Sequence, residues 1–311
     1  MRLSWSAVPA TLRAEAERLL GGRVLRAVTQ PGGSSPGVTA RLALSNGRNA
    51  FVKAVGETGP GSLDMHRAEA RVAAALPASV PAARLRASLD GDGWVILVFE
   101  DVEGRMPVQP WQPAELSRVL DAMAGLALTL TPSPIEAPPV TARFGRYLGG
   151  GWQQLAAASH AGDDLADLDP WARAALHDLA GLEAGWAAAA EGTTLAHGDV
   201  RADNILLAPD RVVFVDWPWA CVAQPWFDLV TMMPSVTLNG GPPPESVLAA
   251  HQVARDADPD SITSVVAALA GMWTYLGRQP DPPGLHPVRE FRRAQGEIAL
   301  AWLKARITSG G

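Results

Sequence analysis

The chain has 311 residues, 48% hydrophobic and 19% charged, with a net charge of -6 and a single cysteine, Cys221. About two domains' length with that apolar content supplies buried cores and excludes a disordered or fibrous chain, and one cysteine excludes a disulfide scaffold. The acidic balance argues against a general nucleic-acid binder, no apolar run approaches the roughly 20 residues that cross a bilayer, and Met1 to Leu20 carries charges where a signal peptide has its apolar segment. The expectation is a cytoplasmic protein with neither nucleic acid nor membrane as partner.

The first hundred residues read mostly as strands: Arg23 to Gln30, Val38 to Leu44 and Asn49 to Val55, the last two joined by a turn at Ser45-Asn46-Gly47-Arg48. Period two sets Phe51, Lys53 and Val55 on one face. Only Lys53 and Lys304 of the 26 basic residues are lysine, so Lys53 amid strand apolars reads either as a solvated edge charge or as a compact ammonium placed for a phosphate. A helix is expected from Ser62 to Leu76, stopped by Pro77 and Pro81. Strands Arg84 to Leu89 and Trp94 to Glu100 then flank the turn Asp90-Gly91-Asp92-Gly93, giving the order βββαββ.

Beyond Glu100 the pattern turns helical, at Pro113 to Leu130, Trp171 to Ala190, Glu245 to Ala257, Ser261 to Leu276 and Pro287 to Ile307, with loops at Thr131 to Val140 and Pro234 to Pro244. Residues 1–100 hold 12 basic and 8 acidic groups, net +4, and residues 101–311 hold 14 and 24, net -10, so the first part suits an anion and the second cations.

The densest chemistry is His197-Gly198-Asp199, with Asn204 five residues past Asp199, two short apolar segments around the turn Pro209-Asp210, and Asp216. A hairpin there sets Asn204 at the start of one strand and Asp216 at the end of the other, side by side. Oxygen ligands so placed suit Mg2+, which takes few protein groups and fills its shell with water and phosphate. A loop of caps and turns accounts for Asp203 but not for the whole pattern.

On these residues the chain resembles the aminoglycoside phosphotransferase family, small-molecule kinases with a protein-kinase-like bilobal fold, over essentially its whole length. The resemblance implies an α+β fold with a small antiparallel-sheet N-lobe, 1–100, that binds nucleotide. A larger, mostly helical C-lobe, 101–311, would carry the catalytic loop, the metal site and the acceptor pocket. It implies that Lys53 grips the phosphates of ATP or GTP, that Glu69 pairs with Lys53, and that Phe99, Glu100 and Val102 lie in the hinge that meets the base. Asp199 would orient the acceptor hydroxyl, Arg201 would either help neutralise the transferring phosphate or serve as a structural ion-pair partner, and Asn204 and Asp216 would hold Mg2+. Asp228 would clamp the catalytic loop, and His197 would pack beneath it. Ser34 and Ser35 are inferred phosphate donors in a loop that lacks G-x-G-x-x-G. Trp217-Pro218-Trp219 follows Asp216 where protein kinases have Phe-Gly, and a proline there argues for a constitutively assembled site.

The acceptor implied is a small hydroxylated molecule, an aminoglycoside or other antibiotic first and a metabolite such as choline, homoserine or a sugar second, with the enzyme a monomer or homodimer. Asp163, Asp164, Asp167 and Asp169 either line a pocket for a cationic acceptor or form a solvated loop and helix cap. Trp217 and Trp219 either stack on the acceptor or pack in the core. Two rival classes weigh less. Gly33-Ser34-Ser35-Pro36-Gly37 matches the G-x-S-x-G elbow of serine hydrolases, but Pro36 and a strand pattern follow where that elbow needs a helix. A non-catalytic nucleotide-binding module would be expected to lack one of Lys53, Asp199, Asn204 or Asp216.

Overall fold

Alternating burial along residues 37–56 builds the centre of a sheet: every second side chain of β3 (Gly37–Leu44) and β4 (Asn49–Gly56) is buried on one face. The computed structural model describes residues 2–30, 37–56, 61–281 and 288–309. Before β3 come β1 (Arg2–Leu3), α1 (Ala10–Leu20) and β2 (Val24–Thr29), and after β4 come α2 (Ser62–Ala75), β5 (Leu85–Gly91) and β6 (Trp94–Glu100). The sheet order is β1-β3-β4-β6-β5, with β2 also paired to β3. All pairings are antiparallel except β1 with β3.

The expected βββαββ order is present, preceded by a helix the strand pattern does not announce. Leu12, Ala16 and Leu20 recur at helical spacing along α1, and Ala16 and Leu20 pack with Val38, Ala40, Leu42, Val52 and Ile96 on one face of the sheet. The opposite face joins Val55, Val95, Leu97 and Phe99 with Leu63, Ala70 and Ala73 of α2.

The helical part runs α3 (Pro113–Thr129), α4 (Val140–Leu148), α5 (Gly151–His160), α6 (Pro170–Ala174), α7 (Leu176–Ala184) and α8 (Trp186–Ala190), then β7 (Thr194–Ala196), β8 (Ile205–Leu207), β9 (Val212–Phe214) and β10 (Cys221–Ala223). It ends with α9 (Phe227–Leu238), α10 (Pro244–Ala250), α11 (Pro259–Arg278) and α12 (Arg289–Ser309). Three segments differ from the sequence expectation. The helix expected over 171–190 is three short ones, broken at Ala175 and Gly185. The loop expected from Pro234 starts only after Leu238, because α9 is buried nearly all round and keeps Pro234 inside it. The segment 245–257 is helical only to Ala250.

Two compact units result, Met1–Pro107 with Ala202–Trp219 and Val108–Arg201 with Ala220–Gly311. The β8–β9 hairpin therefore packs with the sheet-bearing unit, where Arg105 and Leu207 exchange backbone hydrogen bonds of 3.2 and 2.7 Å and Phe214 N–H donates to Pro81 at 2.8 Å. Among the described residues no helix is long and apolar enough to cross a membrane.

Candidate active site

In the sheet-bearing unit, β4 pairs on both sides, and Lys53 sits opposite Thr39 of β3 and Leu97 of β6 on the face covered by α2. Its ammonium is largely withdrawn from water and must be paired there. Nζ donates to Glu69 Oε1 at 2.7 Å and to Asp216 Oδ1 at 2.7 Å, and lies 5.8 Å from the centre of the Phe99 ring. Burial by itself lowers the lysine pKa, but the charges of Glu69 and Asp216 outweigh it and hold Lys53 above the ordinary lysine value. Glu69, 3% exposed on α2, also accepts the backbone N–H of Trp217.

Burial pushes the Glu69 carboxyl up to about 7, with Lys53 opposing and Asp216 reinforcing the shift. A carboxyl raised on folding stabilises the fold fully below its usual value of 4.5, and that contribution is lost as pH rises through about 7. Thermal melts of the ligand-free protein should therefore show the stability of wild type relative to Glu69→Gln falling between about pH 4.5 and 7 and flat above about pH 8. A constant difference would remove Glu69 as the titrating group.

The β8–β9 register, Ile205 opposite Phe214 with Val215 N–H donating to Asn204 O at 3.0 Å, sets Asn204 and Asp216 at the same end of the hairpin. Asp216 holds a left-handed backbone, φ 70°, a conformation that aspartate tolerates better than most side chains and that recurs at functional sites. A carboxylate and an amide carbonyl at one hairpin end are hard oxygen donors few in number, a donor set that fits Mg2+.

The helical unit holds the rest of the loop. Gly198 adopts φ 82°, which admits glycine without strain, and the turn it makes aims the N–H groups of His197 and Gly198 at Asp228, at 2.7 and 2.8 Å. Burial raises the Asp228 pKa, opposed by His197 and those two amides. His197 is fully buried, and its Nδ1 accepts the Asp199 N–H at 3.2 Å. Asp199 thus stands on a backbone fixed from two sides. Arg201 lays its guanidinium 5.4 Å from the centre of the Phe291 ring.

The other expected residues divide. Phe99 is buried, and its ring lies beside Lys53, so its side chain lines the surroundings of that ammonium. Glu100 lies 3.5 Å from Arg86 and 3.6 Å from Arg211, and Val102 is buried. Ser34 and Ser35, with most of the G-x-S-x-G match, lie outside the described residues. The four clustered aspartates are engaged locally: Asp169 caps α6 through Trp171 and Ala172 N–H, Asp163 and Asp164 accept from Leu165 and Ala166 N–H, and Asp163 and Asp167 both meet Arg278. Trp217 is a core residue that donates to Phe214 O at 3.0 Å, while Trp219 is half-buried.

His66 escaped the sequence reading. It precedes Glu69 by three residues on α2, a spacing that shares one helix face, and it feels the charges of Lys53 and Asp216. Its Nδ1 is 3.0 Å from Ser62 O, and burial lowers its pKa, which favours the neutral ring.

The family model described as phosphotransferase enzyme family, APH, matches residues 42–264. No curated protein matches the chain. Among solved structures it is similar to the choline kinase LicA from Streptococcus pneumoniae, at 14% identity and TM-score 0.59 over 95% of this chain and 98% of that one. It is similar also to a choline/ethanolamine kinase family protein from Mesorhizobium loti, 17% identical with TM-score 0.59 over 96% and 94% of the two chains. A third is the spectinomycin phosphotransferase APH(9)-Ia in complex with ADP and spectinomycin, 11% identical with TM-score 0.55 over 94% and 97%. These likenesses show the fold, α+β and protein-kinase-like, with an antiparallel sheet followed by a helical portion.

Proposed function

Because the chain belongs to the phosphotransferase enzyme family, we propose that it moves the γ-phosphoryl group of ATP or GTP to a hydroxyl of a small molecule in the cytoplasm. The observation that carries this reading is the buried Lys53 ammonium shared by Glu69 and Asp216, a cation held ready for phosphate oxygens. Lys53 binds the nucleotide phosphates and Glu69 fixes its direction. The backbone from Phe99 to Val102 meets the base. Asn204 and Asp216 hold Mg2+, which when bound neutralises charge on the phosphate oxygens.

Asp199 accepts the hydrogen bond of the acceptor hydroxyl and aims its oxygen at the γ-phosphorus. The new O–P bond forms as the bond from phosphorus to the β,γ-bridging oxygen breaks, the nucleoside diphosphate leaves, and the hydroxyl proton passes to the Asp199 carboxylate. Little proton transfer is needed before the transition state, so rigid placement of Asp199 by Asp228 and His197 matters more than basicity.

The acceptor of the first reading is an aminoglycoside or other hydroxylated antibiotic, which would make this a resistance kinase. Likeness to choline kinases, at a slightly higher TM-score than to the spectinomycin enzyme, favours a small metabolite alcohol as the second. The partnered state of Asp163 to Asp169 removes one argument for a polycationic acceptor. Release of ADP or GDP with Mg2+ across aminoglycosides, spectinomycin, choline, ethanolamine, homoserine and sugars separates the readings. Turnover with an antibiotic alone supports the first, turnover with choline or another metabolite alone supports the second, and nucleotide binding without turnover on any of them argues for a binding module.

A further inference from the structure

The end of the catalytic loop is held by the last helix. Arg201 stands two residues past Asp199, and its long side chain has many rotamers, so placing its charge requires a contact that selects among them. Its guanidinium lies 5.4 Å from the centre of the Phe291 ring, in the first turn of α12 and within reach of the ring quadrupole. Phe291 is itself fixed, since Trp273 of α11 meets it edge-on at 84° and 5.9 Å. The two helices approach closely there: a Cβ on Gly296 would come within 3.2 Å of the backbone at Trp273 and Thr274. The absent side chain at Gly296 thus brings α12 against α11, the approach seats Phe291 against Trp273, and the ring faces Arg201. A ring attracts the guanidinium through its face, so this contact directs the side chain without itself adding a negative charge.

We propose that Phe291, backed by Trp273, is a positioning residue that sets where Arg201 presents its charge to the transferring phosphoryl group; the inference rests on the reading of Arg201 given above. Aluminium fluoride added to the bound magnesium diphosphate nucleotide mimics the planar transferring group, so the test needs no acceptor. The probe is MgADP or MgGDP, whichever binds wild type more tightly, titrated with and without aluminium fluoride.

Wild type should gain about tenfold or more in affinity from the fluoride, and Arg201→Ala and Phe291→Leu should each lose most of that gain while plain diphosphate affinity stays within about twofold. Phe291→Tyr, which keeps a ring, should retain it, and the double variant should be no worse than Arg201→Ala alone. Should Phe291→Leu fail to fold, Trp273→Leu removes the backing ring and should lose about threefold. Full gain in Phe291→Leu beside loss in Arg201→Ala overturns the positioning role and leaves the Arg201 reading standing. Full gain in Arg201→Ala overturns both. An equal loss of plain diphosphate affinity in Phe291→Leu assigns the ring to packing and overturns the proposal. Wild type that does not bind diphosphate at all overturns the kinase reading itself.

Discussion

Asp199→Asn should lower turnover by about three orders of magnitude while magnesium-nucleotide affinity stays within about twofold of wild type. The substitution keeps shape and volume, and the backbone that carries residue 199 is fixed independently of its side chain. Asp228 holds the amides of His197 and Gly198, and His197 Nδ1 takes the N–H of residue 199 itself. On the proposed mechanism, what is lost is the carboxylate that would accept the hydroxyl hydrogen bond and finally the proton. An amide turned the wrong way presents N–H groups to that hydroxyl and leaves it unaimed. Steady-state turnover with the acceptor found in the panel, beside calorimetric titration of the nucleotide, checks the split. Wild-type turnover in this variant sinks the mechanism, and a matching loss of nucleotide affinity would show that residue 199 serves binding.

Gly151→Ala should destabilise the helical unit by about 3 kcal/mol or more. A Cβ at Gly151 would lie 2.2 Å from the carbonyl carbon of Gly271, 2.3 Å from its oxygen and 2.6 Å from the Met272 nitrogen, all backbone atoms of α11 that cannot rotate away. Relief requires α5 to move off α11, and α5 is fastened at that same end. The buried Glu183 carboxylate accepts Trp152 N–H at 3.0 Å and Gln153 N–H at 3.2 Å, satisfying the open amides of the first turn. Moving α5 strips those donors from a carboxylate whose pKa burial already raises, so overpacking and desolvation add. Gly125→Ala on α3 is the control, since nothing lies within 4 Å of its Cβ and the lost glycine freedom should stabilise by about 0.5 to 1 kcal/mol. Urea unfolding of the three proteins measures both, and a Gly151→Ala midpoint at the wild-type value would mean that the two helices separate freely.

Much of the sheet-bearing unit was legible because its information is local. Period-two burial in 37–56, the turn residues at 45–48 and 90–93, and prolines after Leu76 each constrain neighbouring backbone directly, and the observed strands and α2 follow them within a residue or two. The β8–β9 hairpin was likewise readable, since two short apolar segments around a tight turn set Asn204 before the first strand and Asp216 after the second, at one end of the hairpin. The pairing of Lys53 with a glutamate 16 residues away needed the resemblance, not the pattern.

Tertiary structure alone decided what depends on distant partners. Proline at 234 reads as a helix stop, yet α9 passes through it because burial on nearly all sides leaves the chain little alternative to intrahelical hydrogen bonding. The sequence leaves the aspartates of 163–169 as either pocket lining or solvated loop and helix cap, and says nothing of Arg278, 111 residues beyond Asp167, which meets two of them. Phe291 over Arg201, Glu183 beneath α5 and Gly151 against Gly271 leave no mark in the local sequence, since each is an ordinary helix residue until another helix arrives. The sequence by itself determined the chemistry and the local backbone, because side-chain type and short-range sterics act within a few residues. The burial that raises Glu69 and the pairings of Lys53 and of Asp167 with Arg278 were decided only by the fold, because desolvation and long-range pairing exist only once distant segments have packed.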